Sequence, residues 1–388
     1  FDLESIEVLR GPQGILFGRN VTGGAVLVNT RKPTDQFEAS AKAAVDTGDQ
    51  GGLNKYVMGS VSGPITENFA GKLTAYYNDD EGWFENLATG DDFGASEQKM
   101  FRTAGVWTPG DRTELVLRWE HTETDSDGPA GQTHTNGSGV PGFFANFDRD
   151  SHDFSIDEEG FYETETDFVT MELNIDVDFG DGTITNIFGW RDYNADSLID
   201  VDSQPIWLFH SLSWTEAEQY SNELRYNGLF AEKLNVTAGV YYLSNDVDYH
   251  ERRELLGVAT GNVVAAASLD GGGYYDVETW GVFGAVDYDL TDNWTLTAGL
   301  RYTYEEKEVE IASLIYNVTR PGDGTNTCNL VDLAPGETAC PIDFSDDDDW
   351  SSWSPKLGAT WHISEDARLY GHWTRGYRSG GYNLRNTS

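Results

Sequence analysis

Trp294-Thr-Leu-Thr-Ala-Gly-Leu-Arg-Tyr-Thr-Tyr-Glu305 is the stretch on which the fold turns. Successive side chains of an extended strand point to opposite faces. Trp294, Leu296, Ala298, Leu300, Tyr302 and Tyr304 therefore share one face, and Thr295, Thr297, Gly299, Arg301, Thr303 and Glu305 the other. One face suits an apolar solvent and the other suits water. The same beat sets Leu234, Val236, Ala238, Val240 and Tyr242 against Asn235, Thr237, Gly239 and Tyr241, and sets Leu115, Leu117 and Trp119 against Glu114, Arg118 and Glu120. From about Phe37 onward, runs of roughly ten alternating residues recur along the chain.

The connections between these runs alternate in length. Short turns fall near Gly63 to Phe69, Thr108 to Arg112, Phe179 to Thr183, Asn227 to Leu234, Leu290 to Trp294 and Ser364 to Arg368. Long polar stretches lie between them, at about Asp79 to Lys99, Thr124 to Thr166, Asp192 to Thr215, Tyr249 to Val277 and Glu306 to Ser352. Short turns at one end and long loops at the other predict an all-β, transmembrane antiparallel β-barrel with its long loops outside the cell. Trp83, Trp107, Trp190, Tyr226, Trp280, Tyr288, Trp294, Trp361 and Trp373 sit toward the ends of the runs, as interfacial girdles require. A passive porin or a barrel adhesin would share this rhythm. A secreted soluble β protein, such as a propeller or a glycan hydrolase, would show blade-length repeats or a catalytic signature, and neither is found. The strand count comes to about thirteen, whereas single-chain bacterial barrels use even numbers and plugged transporters ~22. With the last strand ending near Tyr377 and no closing partner in view, the expectation is a piece truncated at both ends.

Composition agrees with β structure. Gly (43), Tyr (19), Phe (19) and Trp (12) are plentiful among 388 residues, while Met (3) and Cys (2) are scarce, which favours strands and tight turns over helix bundles. The 66 acidic residues against 25 basic ones give a net charge of -41, a field that repels nucleic acid and excludes a polynucleotide partner. The mean hydropathy is -0.49 and no apolar run approaches the length of a spanning helix. Neither fact opposes a barrel, in which only every second strand residue meets lipid. The sequence starts at Phe1 without an initiator Met, a basic leader or an apolar signal core, so any export signal is expected to have been removed or to lie outside it. Cys328 and Cys340 fall in a Gly/Pro/Asn/Thr-rich segment. A disulfide there suits an exported protein and is the favoured expectation over two free thiols.

The first 33 residues break the rhythm and read as a short strand, a turn, a short helical or looped piece and another strand. They run Glu4-Ser-Ile-Glu-Val-Leu-Arg-Gly-Pro-Gln-Gly-Ile-Leu-Phe-Gly18, then Gly23-Gly-Ala-Val-Leu-Val-Asn-Thr-Arg-Lys-Pro33. This closely resembles the end of the plug domain of TonB-dependent outer-membrane receptors, where I-E-V-x-R-G-P-x-x-x-L-[YF]-G and G-G-x-[IV] stretches precede the first barrel strand. Ser221-Asn-Glu-Leu-Arg-Tyr226 and Thr374-Arg-Gly-Tyr-Arg-Ser-Gly-Gly-Tyr-Asn383 resemble two barrel segments of the same receptors. The resemblance implies that residues 1–33 end a plug and 37–388 begin a barrel of ~22 strands. It further implies import of ferric siderophores, or of cobalamin, haem, nickel chelates or glycans, driven by the TonB–ExbB–ExbD complex from the bacterial outer membrane. On that resemblance, the segment that contacts TonB, most of the plug and the closing strands are expected to lie outside this sequence.

A plug must stay seated in a wet lumen yet shift when pulled, which hydrogen-bonded charge pairs suit better than an apolar seam. Arg10 is the expected plug-side partner. Strand parity turns Leu224 and Tyr226 to lipid and Glu223 and Arg225 inward, so Glu223 is the expected wall-side partner; the alternative is that these residues merely line a hydrated lumen. Gly11, Pro12, Gly14, Gly18, Gly23 and Gly24 are read as structural turns of the plug, since neither phosphate-loop spacing is present. Asp346 to Asp349 read as a solvated acidic loop, with Ca²⁺ binding or cation bridging to lipopolysaccharide as the sharper alternative. His121, His134, His152, His210, His250, His362 and His372 show no metal-ligand spacing, and no metal, cofactor or catalytic group is assigned. Cargo contacts are expected from long-loop aromatics, Trp83, Phe84, Phe143, Phe144, Trp207, Phe209, Tyr274 and Tyr275, which could equally pack the loops together. Arg252 and Arg253 form the one adjacent basic pair in a long loop, a cue for an anionic chelate.

Overall fold

The computed structural model describes residues 2–48, 51–134, 147–255, 267–317 and 328–385. It opens with β1 (Leu3–Arg10), a single helical turn α1 (Gly14–Phe17) and β2 (Gly24–Thr30), with β1 and β2 forming an antiparallel hairpin. A 13-stranded sheet follows. Its strands are β3 (Glu38–Gly48), β4 (Gly51–Thr66), β5 (Phe69–Asp80), β8 (Ser96–Gly110), β9 (Thr113–Ser126), β10 (Phe161–Val177), β11 (Gly182–Asp200), β12 (Phe209–Phe230), β13 (Leu234–Leu255), β14 (Ala267–Thr291), β15 (Trp294–Asn317), β16 (Phe344–Ser364) and β17 (Ala367–Thr374), with a small hairpin β6 (Phe84–Asn86) and β7 (Asp91–Phe93) in the β5–β8 connection. Each strand pairs antiparallel with the next along the chain, so the sheet is a plain up-and-down meander.

The sheet inverts the usual order of burial. Leu300 and Val282 are 45% and 59% exposed, whereas their neighbours Arg301 and Thr303 are 1% exposed. An apolar outer face and a buried polar inner face are stable only if the outer face meets lipid. At ~3.3 Å per residue, the run from Trp294 to Tyr304 covers about 33 Å, which a ~40° tilt turns into the ~25 Å apolar height of an outer-membrane barrel. Trp294 stacks on Trp361 at 5.8 Å at the turn end, and Tyr302 meets Trp353 at 4.9 Å at the other. The outward series then changes abruptly to Glu306, Glu308 and Glu310, and likewise to Glu278 and Asp276 on β14. These carboxylates are exposed and form an acidic collar above the lipid band.

Above that collar the structure departs from the sequence reading. The strands continue well past the expected boundaries: β11 runs to Asp200, β13 to Leu255 and β15 to Asn317, and β12 starts at Phe209 rather than near Thr215. Asp346 to Asp349 are part of β16, paired with Val309 to Glu306, and not a loop. Outside the membrane both faces of a strand are wet, so the alternation that marks a strand disappears while the backbone ladder carries on. Cys328 and Cys340 are joined by a disulfide, and the segment it closes rests on Ala312 and Tyr274, whose hydroxyl donates to the Leu330 carbonyl at 3.2 Å.

Candidate functional site

The N-terminal unit lies on the concave polar face of the sheet and touches it at both sides. Near β1, the Asp2 carboxylate takes Lys72 of β5 at 2.7 Å and Thr74 at 3.2 Å. Just after β2, Lys32 pairs with Glu114 of β9 at 2.6 Å. Between the hairpin and the wall a polar gap of about 650 Å³ is lined by Glu4, Glu7, Arg102, Arg118, Glu120 and Glu172 among others. The contact is thus made of separate charged points around a space that water can fill, not of an apolar seam.

The densest of these points is at α1. Arg301 of β15 extends its guanidinium across the inner face and donates to the carbonyls of Ile15 and Leu16 at 3.3 and 3.5 Å. Tyr241 and Phe283 each place a ring centroid 5.4 Å from it. The slot exists because two residues have no side chain. A Cβ on Gly281 would fall 2.2 Å from the Arg301 guanidinium, and one on Gly18, whose φ is +72°, would fall 2.9 Å from it. Two steps along β15, fully buried Glu305 pairs with Arg19 and, at 2.8 Å, with Lys307. Lys307 in turn donates to Ser379 at 2.8 Å and to the Gly380 carbonyl. Residues 375–385 therefore run inside the lumen directly over the N-terminal unit, and the Asn20 amide donates to the Tyr377 carbonyl at 2.9 Å.

Higher still, beyond the lipid band, Glu251 of β13 is 1% exposed and accepts from Arg385 at 2.7 and 3.1 Å and from Arg253 at 2.8 and 3.0 Å. Burial alone would raise its carboxyl, but the hydrogen bonds from Arg385 and Arg253 outweigh that and hold it at about 2, below the ordinary 4.5. Because the folded value lies below the unfolded one, the ionised carboxylate adds stability that is complete above about pH 4.5 and is lost as the pH falls toward about 2. Hydrogen exchange of residues 375–385 is therefore expected to accelerate on going from about pH 5 to about pH 3, after correction for the intrinsic rate. Glu251→Gln should show the faster, corrected rate at both. Equal protection of the wild type at the two pH values would mean that this clamp does not hold the segment.

Of the residues singled out from sequence, the structure assembles some and disperses others. It does not bring Arg10 to Glu223: Arg10 is exposed at the end of β1, and Glu223 bonds Arg225 on its own strand at 3.2 Å. Both wall residues do lie on the inner side, within electrostatic reach of Arg301 in the case of Glu223. The cation that reaches β15 is Arg19, nine residues on, because the chain turns back at α1 before the side chains meet that strand. Gly11, Gly18 and Gly24 adopt positive φ, Gly14 abuts Ser354, Pro12 abuts Gly376, and Gly23 faces open space. Trp83 stacks on Phe84 at 3.8 Å and Phe84 packs on Phe93 and Phe154, so that pair builds a loop core. Trp207 stacks on His210, Phe209 is half-buried beside it, and Tyr274 faces outward under the disulfide-closed segment. Tyr275 faces the lumen, 6.4 Å from Tyr382, whereas Phe143 and Phe144 lie outside the described residues. The adjacent pair Arg252 and Arg253 splits between faces, Arg252 to Asp270 at 2.7 Å and Arg253 to Glu251. Arg19, Arg301, Glu305, Lys307 and Glu251 were not singled out, although a charged residue on the wet face at mid-membrane height is the signal that marks Arg301.

Comparison with known proteins places this architecture. The chain is 24% identical over 390 residues to a pesticin receptor of Yersinia enterocolitica, a match covering 99% of this chain and 50% of that protein. It is 22% identical over 410 residues to the catecholate siderophore receptor Fiu of Escherichia coli O6:H1, covering 95% and 51% respectively. The chain thus spans about half the length of the curated relatives it matches. The crystal structure of the ferric yersiniabactin uptake receptor FyuA from Yersinia pestis superposes with a TM-score of 0.73 at 19% identity over 100% of this chain and 54% of that one. The siderophore receptor PiuA from Acinetobacter baumannii does so with a TM-score of 0.73 at 14% identity, over 96% and 54%. A family model described as TonB dependent receptor-like, beta-barrel, matches residues 42–388. The chain belongs to that family, as a β-barrel protein of the bacterial outer membrane.

Proposed function

We propose that this barrel serves in the active import of a ferric siderophore across the outer membrane, with residues 1–33 forming the end of a plug and with energy supplied by the TonB–ExbB–ExbD complex. The observation that carries the reading is the seating of the N-terminal unit. Polar attachments, Asp2–Lys72, Lys32–Glu114, Arg19–Glu305 and Arg301 on the α1 carbonyls, hold it to the wall, and beside Lys32 a gap wide enough for water separates the hairpin from β8 to β10. Charge pairs in a wet lumen can exchange partners with water as the unit moves, whereas an apolar seam would have to expose its whole area at once. Relatives named as siderophore receptors support iron chelates as the cargo class. Lumenal aromatic and cationic groups above the plug, Tyr275, Trp350, Lys307 and Arg385, suit an anionic aromatic chelate. Outer-membrane lipid and lipopolysaccharide form the surroundings.

The deciding experiment deletes the full-length gene and measures growth and ⁵⁵Fe uptake under iron limitation with ferric chelates supplied singly. Growth lost in the deletion and restored by the gene on one chelate is the expected result and names the cargo. Unchanged growth on every chelate removes iron as the cargo and turns the search to cobalamin or a glycan.

A further inference from the structure

We propose that the outer end of the barrel binds a divalent transition cation through Asp157, Asp200 and His210, with Asp202 beside them, and that this ion fastens the β9–β10 connection to the β11–β12 hairpin. Asp200 and His210 are direct cross-strand partners at the tips of β11 and β12. Asp157 comes from the β9–β10 connection, 53 residues before His210. One ligand atom from each of the three lies within 4.8 Å of the other two, the widest spacing that two ligands each ~2.4 Å from one ion can have.

Three independent features point to a cation and not to a self-sufficient hydrogen-bond cluster. First, Asp200 is 3% exposed; its Oδ1 accepts from the Ser203 amide at 2.8 Å, but its Oδ2 is buried without a partner. Asp202 repeats this arrangement: its Oδ2 accepts from the Phe209 and Leu208 amides at 2.6 and 3.2 Å, and its Oδ1 is buried and unpartnered. A buried carboxylate oxygen left empty is costly, and two in one place call for a positive partner. Second, among the described residues no Lys or Arg pairs with any of the three carboxylates, and His210 is the one group there that can carry positive charge. Third, His210 Nε2 and Asp157 Oδ1 are 3.3 Å apart. That is long for a charge-assisted hydrogen bond at ~2.7–2.9 Å, but close to the ~3.4 Å edge between two ligands of one tetrahedral ion with ~2.1 Å bonds.

The ligand set selects the class of ion. Ca²⁺ and Mg²⁺ take oxygen donors, whereas an imidazole among carboxylates suits Zn²⁺ or Mn²⁺. Asp157 is exposed, so the remaining positions face solvent and can hold water. The surroundings are already braced: the Asp157 amide donates to the Gln204 carbonyl at 3.2 Å, Gln204 to Thr133 at 2.8 Å, and Thr133 to the Ser203 carbonyl at 3.2 Å. Rigid outer partners of this kind orient first ligands. None of this depends on which cargo the barrel carries.

The test titrates Co²⁺ as a chromophoric probe into the full-length protein in detergent, stripped with a chelator and kept in excess Mg²⁺ so that exposed carboxylates are occupied. One saturable equivalent with visible d–d absorption, displaced by Zn²⁺, is expected. Asp200→Asn and His210→Ala should each weaken it at least about tenfold. If either of those variants misfolds by circular dichroism, Asp157→Asn, altered at the exposed rim, gives the same reading. The proposal is overturned by the absence of a saturable equivalent in the wild type, by binding that no variant weakens, or by a site that takes Ca²⁺ as tightly as Co²⁺ and is indifferent to His210→Ala.

Discussion

Leu300→Arg is expected to lower the stability of the membrane-inserted barrel by about 2–4 kcal/mol, while Arg301→Met, one residue away, is expected to leave the barrel standing. The two positions are adjacent in sequence and opposite in solvent. Leu300 lies near the middle of the run from Trp294 to Tyr304, on the face that meets lipid, where a guanidinium has neither water nor a partner. Arg301 already occupies the other face, beside the rings of Tyr241 and Phe283, and among the described residues no carboxylate is bonded to it. Exchanging it for a flexible apolar side chain of similar length removes a buried charge, which is often neutral or favourable for the wall itself. The cost falls instead on α1, whose Ile15 and Leu16 carbonyls lose their donor. Denaturant unfolding of the full-length protein refolded into vesicles would separate the two. A midpoint lowered for Leu300→Arg and nearly unchanged for Arg301→Met is the predicted pattern. Comparable loss from both would place Arg301 in the barrel's own stability, and a harmless Leu300→Arg would contradict the assignment of that face to lipid.

That pair also shows how far the sequence alone can be read. Within the lipid band the two faces of a strand meet different solvents, so Trp294 to Tyr304 declares its orientation residue by residue, and the expected count of about thirteen strands matches the sheet. Outside the band the two faces meet the same solvent. Glu306, Glu308 and Asp346 to Asp349 then look like loop, although β15 and β16 pair through all of them. The composition of the lumenal contacts was legible as well, as hydrogen-bonded charge, but their partners were not. Arg301 and Ile15 are 286 residues apart, and nothing in a single sequence ties them together. Arg10 stands in the more conspicuous Arg-Gly-Pro stretch, yet Arg19 makes the contact, because a helical turn and the positive φ of Gly18 decide which side chain is delivered to β15. The same limit hid the cluster at the loop tips. Spacing rules find ligands that share a helix or a tight turn, whereas Asp157 and His210 meet only after two separate connections have folded together.

Glu305→Gln is expected to release the lumenal unit, with a local cost of about 3–5 kcal/mol, the usual loss when one member of a buried ion pair is removed and its partner stays. Glu305 is 0% exposed and is the shared anion for Arg19 and Lys307, so its neutralisation leaves two cations facing each other inside the wall. Lys307 retains Ser379 and the Gly380 carbonyl and stays in place. Among the described residues Arg19 has no second carboxylate to hold it, so it turns to water, and with it the Gly18–Gly24 segment detaches from β15. The size of the effect is separable from general damage by a double-mutant cycle. Arg19→Gln and Glu305→Gln each alone should raise hydrogen exchange at residues 14–24 of the full-length protein. The double variant should be little worse than Glu305→Gln, giving a coupling of about 1.5–3 kcal/mol. Barrel strands distant from β15 should exchange at wild-type rates in all three. Strictly additive effects would mean that Arg19 and Glu305 act on separate neighbours, and the seating of the unit would then rest on Arg301 and the Asp2–Lys72 and Lys32–Glu114 pairs.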